Sequence, residues 1–432
     1  MTNVIASVGA LLFGMALMST GNGLLGILLP LRLAQTDSGS MAVGMIMSGF
    51  FFGLVVGVYV GRHLIVRVGH IRAFTAFMAV LAASVLSHPF LLDGWFWFVL
   101  RIIQGICLAG LYMCTESWLN ERSSHEQRGQ VMSLYMITLY VGISLGQLLL
   151  NVPDPSGFAL YALIAILISL AAVPVAAARI VPPALPEYVP FNLKKLHEIS
   201  PLGIGGAAIA GVILGAFYGL APFFTTRMGL DTAGTSQFMA YTILGGLLLQ
   251  WPIGKLSDRY DRRKVIMLLG FAICAVALAI VGLSLWTTVG LLVTAPFLGG
   301  VMFTLYPLCI SHTNDYIDAT DLVPASAGLI LAYGIGAAIG PLAAAGAMNV
   351  VGPLGLFGFI AVMGLITGLY ASWRQRQRPA PPVEDQAPFQ AVQRTTPVAA
   401  ELDPRGEPTA ETVVFPFRDK DGNEIGGEID EK

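Results

Sequence analysis

Through residue 373 the chain is a succession of continuously apolar runs about twenty residues long, separated by short polar breaks. About twenty such residues, wound as an α-helix, cross the ~30 Å hydrocarbon layer of a bilayer. A backbone in lipid must satisfy its own hydrogen bonds, so only helices and closed barrels can span it. Barrel strands alternate apolar and polar side chains, and these runs do not. The chain therefore reads as an all-α membrane protein. Its low charge agrees: 12% of residues are charged, against about 25% in soluble domains.

Turn residues and charges divide the runs into twelve spans, near 4–31, 40–61, 72–92, 95–119, 129–151, 157–178, 201–226, 235–254, 265–285, 288–312, 324–348 and 353–373. The first run lacks the basic stretch that opens a cleavable signal peptide and reads as a span. Linkers two–three, four–five, six–seven and eight–nine hold thirteen Lys and Arg, while the linkers on the opposite side hold only Arg32 and Arg227. Basic linkers stay in the cytoplasm, so both termini are expected there. All six tryptophans fall near span ends, where interfacial anchoring places them.

Several chemistries find no support. Net charge is −2, so no basic field argues for nucleic acid. The four cysteines lie inside apolar runs without metal-type spacing and read as small core residues. A Walker A motif and a zinc-protease motif are both missing. No cofactor and no metal are expected.

The two halves of the chain resemble each other at a nearly constant offset. Tyr112 matches Tyr306, Ser117 matches Ser311 and Asn120 matches Asn314, each 194 residues apart. Gly142-x-x-x-Gly146 in span five matches Gly336-x-x-x-Gly340 in span eleven at the same offset. Pro30 matches Pro222, and Arg67 matches Arg259, at 192. Parallel duplication of six helices is the pattern of a rocking transporter with its site between the halves. The expected domains are a six-helix half over 1–178, a cytoplasmic linker over 179–200, a second half over 201–373 and a tail over 374–432. The tail is Pro-rich and acidic, with 12 Asp and Glu against 8 Lys and Arg, and reads as disordered.

The linker "GKLSDRYDRRK" concentrates charge between two apolar runs. Gly254-x-x-x-Asp258-Arg259-x-Asp261-Arg262-Arg263 resembles motif A of the major facilitator superfamily, which has Gly in place of Asp261. The first-half copy keeps Arg67, Gly69 and Arg72 but has Val66 in the acidic position. Arg101-x-x-Gln104-Gly105-x-x-x-Ala109 resembles motif B. Gln147 stands where the family's antiporter motif has a proline, which speaks against drug–proton antiport. The runs "ESWLNE" with "EQRG", and "SHTND", resemble the YcaD-like branch of bacterial permeases. The resemblance implies the major facilitator fold of twelve helices, residence in a bacterial inner membrane, a monomer, and a small-molecule partner beside the lipid bilayer. It also implies alternating access around a cavity between helices 1, 4, 7 and 10, with motif A as the cytoplasmic gate. Protons are a candidate coupling ion.

Individual residues carry two readings each. Asp258 can pair with Arg262 or Arg263 and accept from a helix N-terminus, while Arg259 meets the anionic leaflet; the bland alternative is a topogenic basic loop. Arg101 lies about 9 Å into the membrane, six residues past Trp95. A guanidinium there needs a cavity, acceptors such as Gln104 or Asn22, or a substrate anion. Otherwise it ties helix four to helix one. Glu116 lies about 22 Å further along the helix, as a gate partner for Arg67 or Arg72 or as a protonatable coupling site. His312 and Asp315, at the matching end of span ten, carry the same pair of readings. Tyr140, Tyr218, Tyr241 and Tyr333 are candidates to line the cavity. Gly53 and Gly57 on helix two make a smooth face that Gly336 and Gly340 can meet. A non-transporting receptor on the same fold, signalling through the tail, is the second functional class.

Overall fold

Lipid leaves the backbone no partner but itself, and the chain answers with helices. In this computed structural model the described residues are 2–36, 38–177, 193–318, 321–377, 382, 386, 388–390, 394–402, 417–418 and 424–425. The first six helices are α1 (Thr2–Ala34), α2 (Ser40–Val68), α3 (His70–Ser87), α4 (Gly94–Glu121), α5 (Arg128–Leu149) and α6 (Ala159–Ala177). A short α7 (Leu193–Ile199) precedes α8 (Pro201–Arg227), α9 (Thr232–Arg259), α10 (Arg262–Ser284), α11 (Thr288–Asn314), α12 (Leu322–Val351) and α13 (Gly355–Gln375). Eleven of these helices are long and apolar enough to cross a membrane. The exception among the long ones is α9, with 28 residues but more polar ones. The only strands among the described residues are the antiparallel pair Phe417–Arg418 and Glu424–Ile425. The linker expected over 179–200 falls mostly outside the described residues; α7 is the part of it that is seen.

The duplication is visible in the packing. In the first half α1 packs on α5, α2 on α4 and α3 on α6; in the second, α8 packs on α12, α9 on α11 and α10 on α13. Close approach here needs glycine. A Cβ at Gly53 would strike the carbonyl of Ile102 on α4, and one at Gly340 would strike the carbonyl of Val212 on α8. Gly57 and Gly336 likewise meet Ile106 and Ala208 within their own halves. The glycines of α2 and α12 therefore do not face each other across the halves, as the sequence suggested. That contact is made elsewhere: α2 meets α12 through Val55 against Gly334, and through Gly44 against the Pro341 carbonyl and the Ala345 Cβ. Gly69 has a separate task. It joins α2 to α3 at φ 85°, and its N–H caps α2 through the Ile65 carbonyl at 2.8 Å.

Candidate substrate cavity and its gates

The halves touch along α1–α8, α2–α12 and α5–α9. At the end away from the basic linkers they are pinned together. Ser40 donates to the Ala345 carbonyl at 3.1 Å, Asn151 to the Ser236 hydroxyl at 2.7 Å, and Arg227 to the Ser38 carbonyl at 3.2 Å. Between the halves lies a cavity of about 160 Å³ lined by Asn22, Arg101, Tyr112, Gln147, Tyr218 and Tyr333.

Arg101 is 4% exposed. Its Nη1 donates to Gln104 Oε1 at 3.1 Å, and its guanidinium carbon lies 4.3 Å from the centre of the Phe50 ring. It takes part in none of the ion pairs of the described residues. Arg101 Nε, Gln104 Nε2 and Gln147 Oε1 are buried without a protein partner. A buried donor or acceptor left alone costs about 1–3 kcal/mol, so this wall is built to receive polar groups. Gln147 also anchors itself, donating to the Gly23 carbonyl at 3.0 Å.

On the second half the cavity is lined by Tyr218 and Tyr333, which lead into an aromatic cluster behind it. Tyr140 donates to Gln250 Oε1 at 3.4 Å across the α5–α9 contact. Its ring meets Phe303 edge-on at 5.8 Å, Tyr218 lies 5.8 Å from Phe303, and Tyr306 lies 4.9 Å from Tyr333.

The basic end is arranged differently. Residues 394–402 sit there instead, with Pro397–Leu402 as a 3₁₀ turn packed against α4, α5 and α12. Where the sequence reads as a disordered tail, Thr396, Val398 and Ala399 are buried. Thr395 and Thr396 donate their hydroxyls to Glu116, which also accepts from Tyr135 at 2.9 Å. Nearby, the Phe389 N–H donates to Asp258 Oδ1 at 2.7 Å, and the Phe389 ring covers Gly254.

A sequence profile described as the Major Facilitator Superfamily matches residues 11–249 and 206–416. The chain belongs to the Major Facilitator Superfamily. Within it the chain falls in the YcaD-like branch: it is 30% identical over 335 residues to the uncharacterized MFS-type transporter YcaD of Salmonella arizonae, covering 76% of this chain and 86% of that one. The fold is similar to the nucleoside transporter NupG, with a TM-score of 0.71 at 11% identity over 85% of this chain and 98% of NupG. A bacterial homologue of the human lysosomal transporter Spinster, inward-facing and unoccupied, matches with a TM-score of 0.68 at 12% identity over 89% and 98%. As a member of this transporter family the chain is a multi-pass protein of the bacterial inner membrane.

Superfamily motif A takes a particular form here. Arg262 is the hub: it donates to the Ser311 carbonyl at 3.0 Å, pairs with Asp258 at 3.2 Å and contacts Asp315. These partners lie on α9 and at the C-terminal end of α11, within the second half. Among the described residues Asp258 meets no helix N-terminus of the other half; its second donor is Phe389. Asp261, where the family has Gly, caps α10 by accepting from the Arg263 N–H at 3.0 Å and pairs with the Arg263 side chain at 2.8 Å. Burial alone would raise the Asp261 carboxyl, but these bonds and the Arg263 charge hold it below the usual range. Arg259 stays exposed. His312 is buried with its ring 5.2 Å from Tyr316.

Other expectations are redrawn. Arg67 and Arg72 are exposed, and neither pairs with Glu116, whose acceptors are spent on hydroxyls. The degraded first-half motif explains this, since with Val66 in its acidic position it has no carboxylate to hold those arginines inward. Of the proposed lining residues Asn22, Arg101, Tyr218 and Tyr333 meet in the cavity. Gln104 stands behind Arg101, Tyr140 borders the aromatic cluster, and Tyr241 is 42% exposed on the outer face of α9. Sequence reasoning missed Gln250 and Phe303, the buried partners of Tyr140 and Tyr218 beside the cavity. Gln250 had a signal, as a lone amide inside an apolar run; Phe303 had none.

Proposed function

We propose that the chain moves a small organic solute across the inner membrane by alternating access. The observation that carries this reading is the polar-and-aromatic cavity between two duplicated halves, pinned shut at one end and, among the described residues, occupied at the other by residues 394–402. Such a cavity serves transport when the pinned end opens and the other closes, the halves rocking as bodies. The reading includes α9 as a twelfth span, and the basic end, with both termini, in the cytoplasm. The structure would then be inward-open, with Arg262 and its acids holding the inner end of the second half in shape.

In proteoliposomes loaded with a cell metabolite extract, the chain should release or accumulate a subset of small organic solutes relative to empty vesicles. Asp258→Asn should alter that rate several-fold, because a charge-assisted bond worth about 1–3 kcal/mol is lost. A flux equal to empty vesicles for every solute would refute the transport reading.

Topology is tested separately. Reporter fusions after Pro155 should report the periplasm, and fusions after Arg72 and at the C-terminus the cytoplasm. A periplasmic C-terminus would overturn the twelve-span count.

A further inference from the structure

Among the described tail residues, Arg394 reaches the aromatic cluster beside the cavity. Its guanidinium carbon lies 4.9 Å from the Phe303 ring centre and 5.9 Å from that of Tyr333, and its Nη2 donates to the Tyr140 hydroxyl at 3.1 Å. It takes part in none of the ion pairs of the described residues. Ring faces attract a cation through their quadrupole, most strongly where water is excluded. Among the described residues the guanidinium is held by rings and a phenol with no acid in an ion pair, a setting that suits an organic cation. The two threonines that follow fasten the segment to Glu116 on the first half, while Phe303 and Tyr333 belong to the second. The inserted segment therefore bridges both halves and stands in the route from the basic end to the cavity.

We propose that residues 394–402 are a tethered occupant of a cation subsite, and that the transported solute carries a guanidinium or ammonium group that takes the place of Arg394. The class of solute rests on the transport reading; the subsite does not. Arg101, on the opposite wall of the same cavity, disfavours a second cation there and offers its donors to a carbonyl or carboxylate at the solute's other end. A tethered group competes at an effective concentration in the millimolar range, so the full chain should bind free cations poorly until the tether is weakened.

The test uses the full-length protein in detergent and follows its melting temperature against propylguanidine, the analogue of the arginine side chain. Propylurea serves as the neutral isostere. Arg394→Ala should show a saturable rise with propylguanidine, at a concentration at least tenfold lower than wild type needs, and no rise with propylurea. Adding Phe303→Leu should weaken the response at least tenfold. No saturable rise, an equal response to the two compounds, or an equal response in wild type would overturn the proposal. Should Arg394→Ala fail to fold, the double variant Thr395→Ala with Thr396→Ala releases Glu116 and leaves the cage intact. It should show the same guanidine-selective gain, and a lack of that gain overturns the proposal too. Guanidine-selective binding without flux in vesicles would sink the transport reading and leave the subsite standing; flux without such binding would do the reverse.

Discussion

Replacing Arg101 with lysine should reduce transport at least tenfold in a chain that still folds and inserts. Lysine keeps the charge but loses the planar fork of five donors. In the structure that fork makes two contacts and leaves a buried donor over. Nη1 is committed to Gln104 at 3.1 Å, the guanidinium plane lies over Phe50, and Nε is buried without a protein partner beside the cavity. An ammonium can keep one of these contacts, not all. If the remaining donors hold a polar group of the solute, lysine leaves that group unmatched in a dry site, at a cost of about 1–3 kcal/mol. That is roughly one to two orders of magnitude in affinity. Thermal stability and flux must be measured together. A variant that melts earlier yet transports at the wild-type rate would reduce Arg101 to a packing residue. Arg101→Ala adds a second discrimination: its loss should be greatest for solutes bearing a carboxylate or carbonyl distal to the cation, and smallest for those without one.

The fold was legible because lipid imposes a coarse code. Twenty apolar residues make a span, and matched positions such as Tyr112 with Tyr306 betray the duplication. Packing inside each half was also within reach in part, since Gly336 and Gly340 stood out as a close-contact face. What could not be read was the face they meet. Helix periodicity says that a smooth stripe exists, not which neighbour it touches, and Gly336 went to α8 rather than α2. The site divided along the same line. Arg101 announced itself through the cost of burying a charge, and four of the lining candidates do converge. Tyr241 failed because mid-span depth does not specify rotation about the helix axis. Glu116 was recognised as exceptional, but two of its three hydroxyl partners come from "RTTP" in the tail, a string with no periodicity and no unusual composition. Only three-dimensional proximity brings residues 279 and 280 positions away to one carboxylate.

Two glycines on one helix should give opposite kinds of failure when enlarged to leucine. Gly53 faces α4 inside the first half, where an added Cβ would strike the backbone of Ile102. Backbone cannot swing aside like a side chain, so α2 and α4 must separate. Overpacking of this kind costs about 1–3 kcal/mol or more, and Gly53→Leu should lose most of its folded yield in every state of the transport cycle. Gly44 lies on the same helix but at the pinned end, where its added Cβ would approach the Pro341 carbonyl and the Ala345 Cβ, each at 2.6 Å. Those atoms belong to the other half. The clash exists only while that end is closed, and the halves relieve it by parting there. A penalty of about 1–3 kcal/mol confined to one of two states shifts their ratio by about five- to 150-fold. Gly44→Leu should therefore fold normally and favour the state open at the pinned end. A cysteine placed at Ser40, whose hydroxyl now bonds Ala345 across the gap, reports the change. Three of the four native cysteines are buried and add little background. Labelling of Ser40→Cys should accelerate at least fivefold in the Gly44→Leu background. Unchanged labelling in a well-folded Gly44→Leu protein would show that the halves do not move apart at this end, and rocking about the cavity would lose its physical basis.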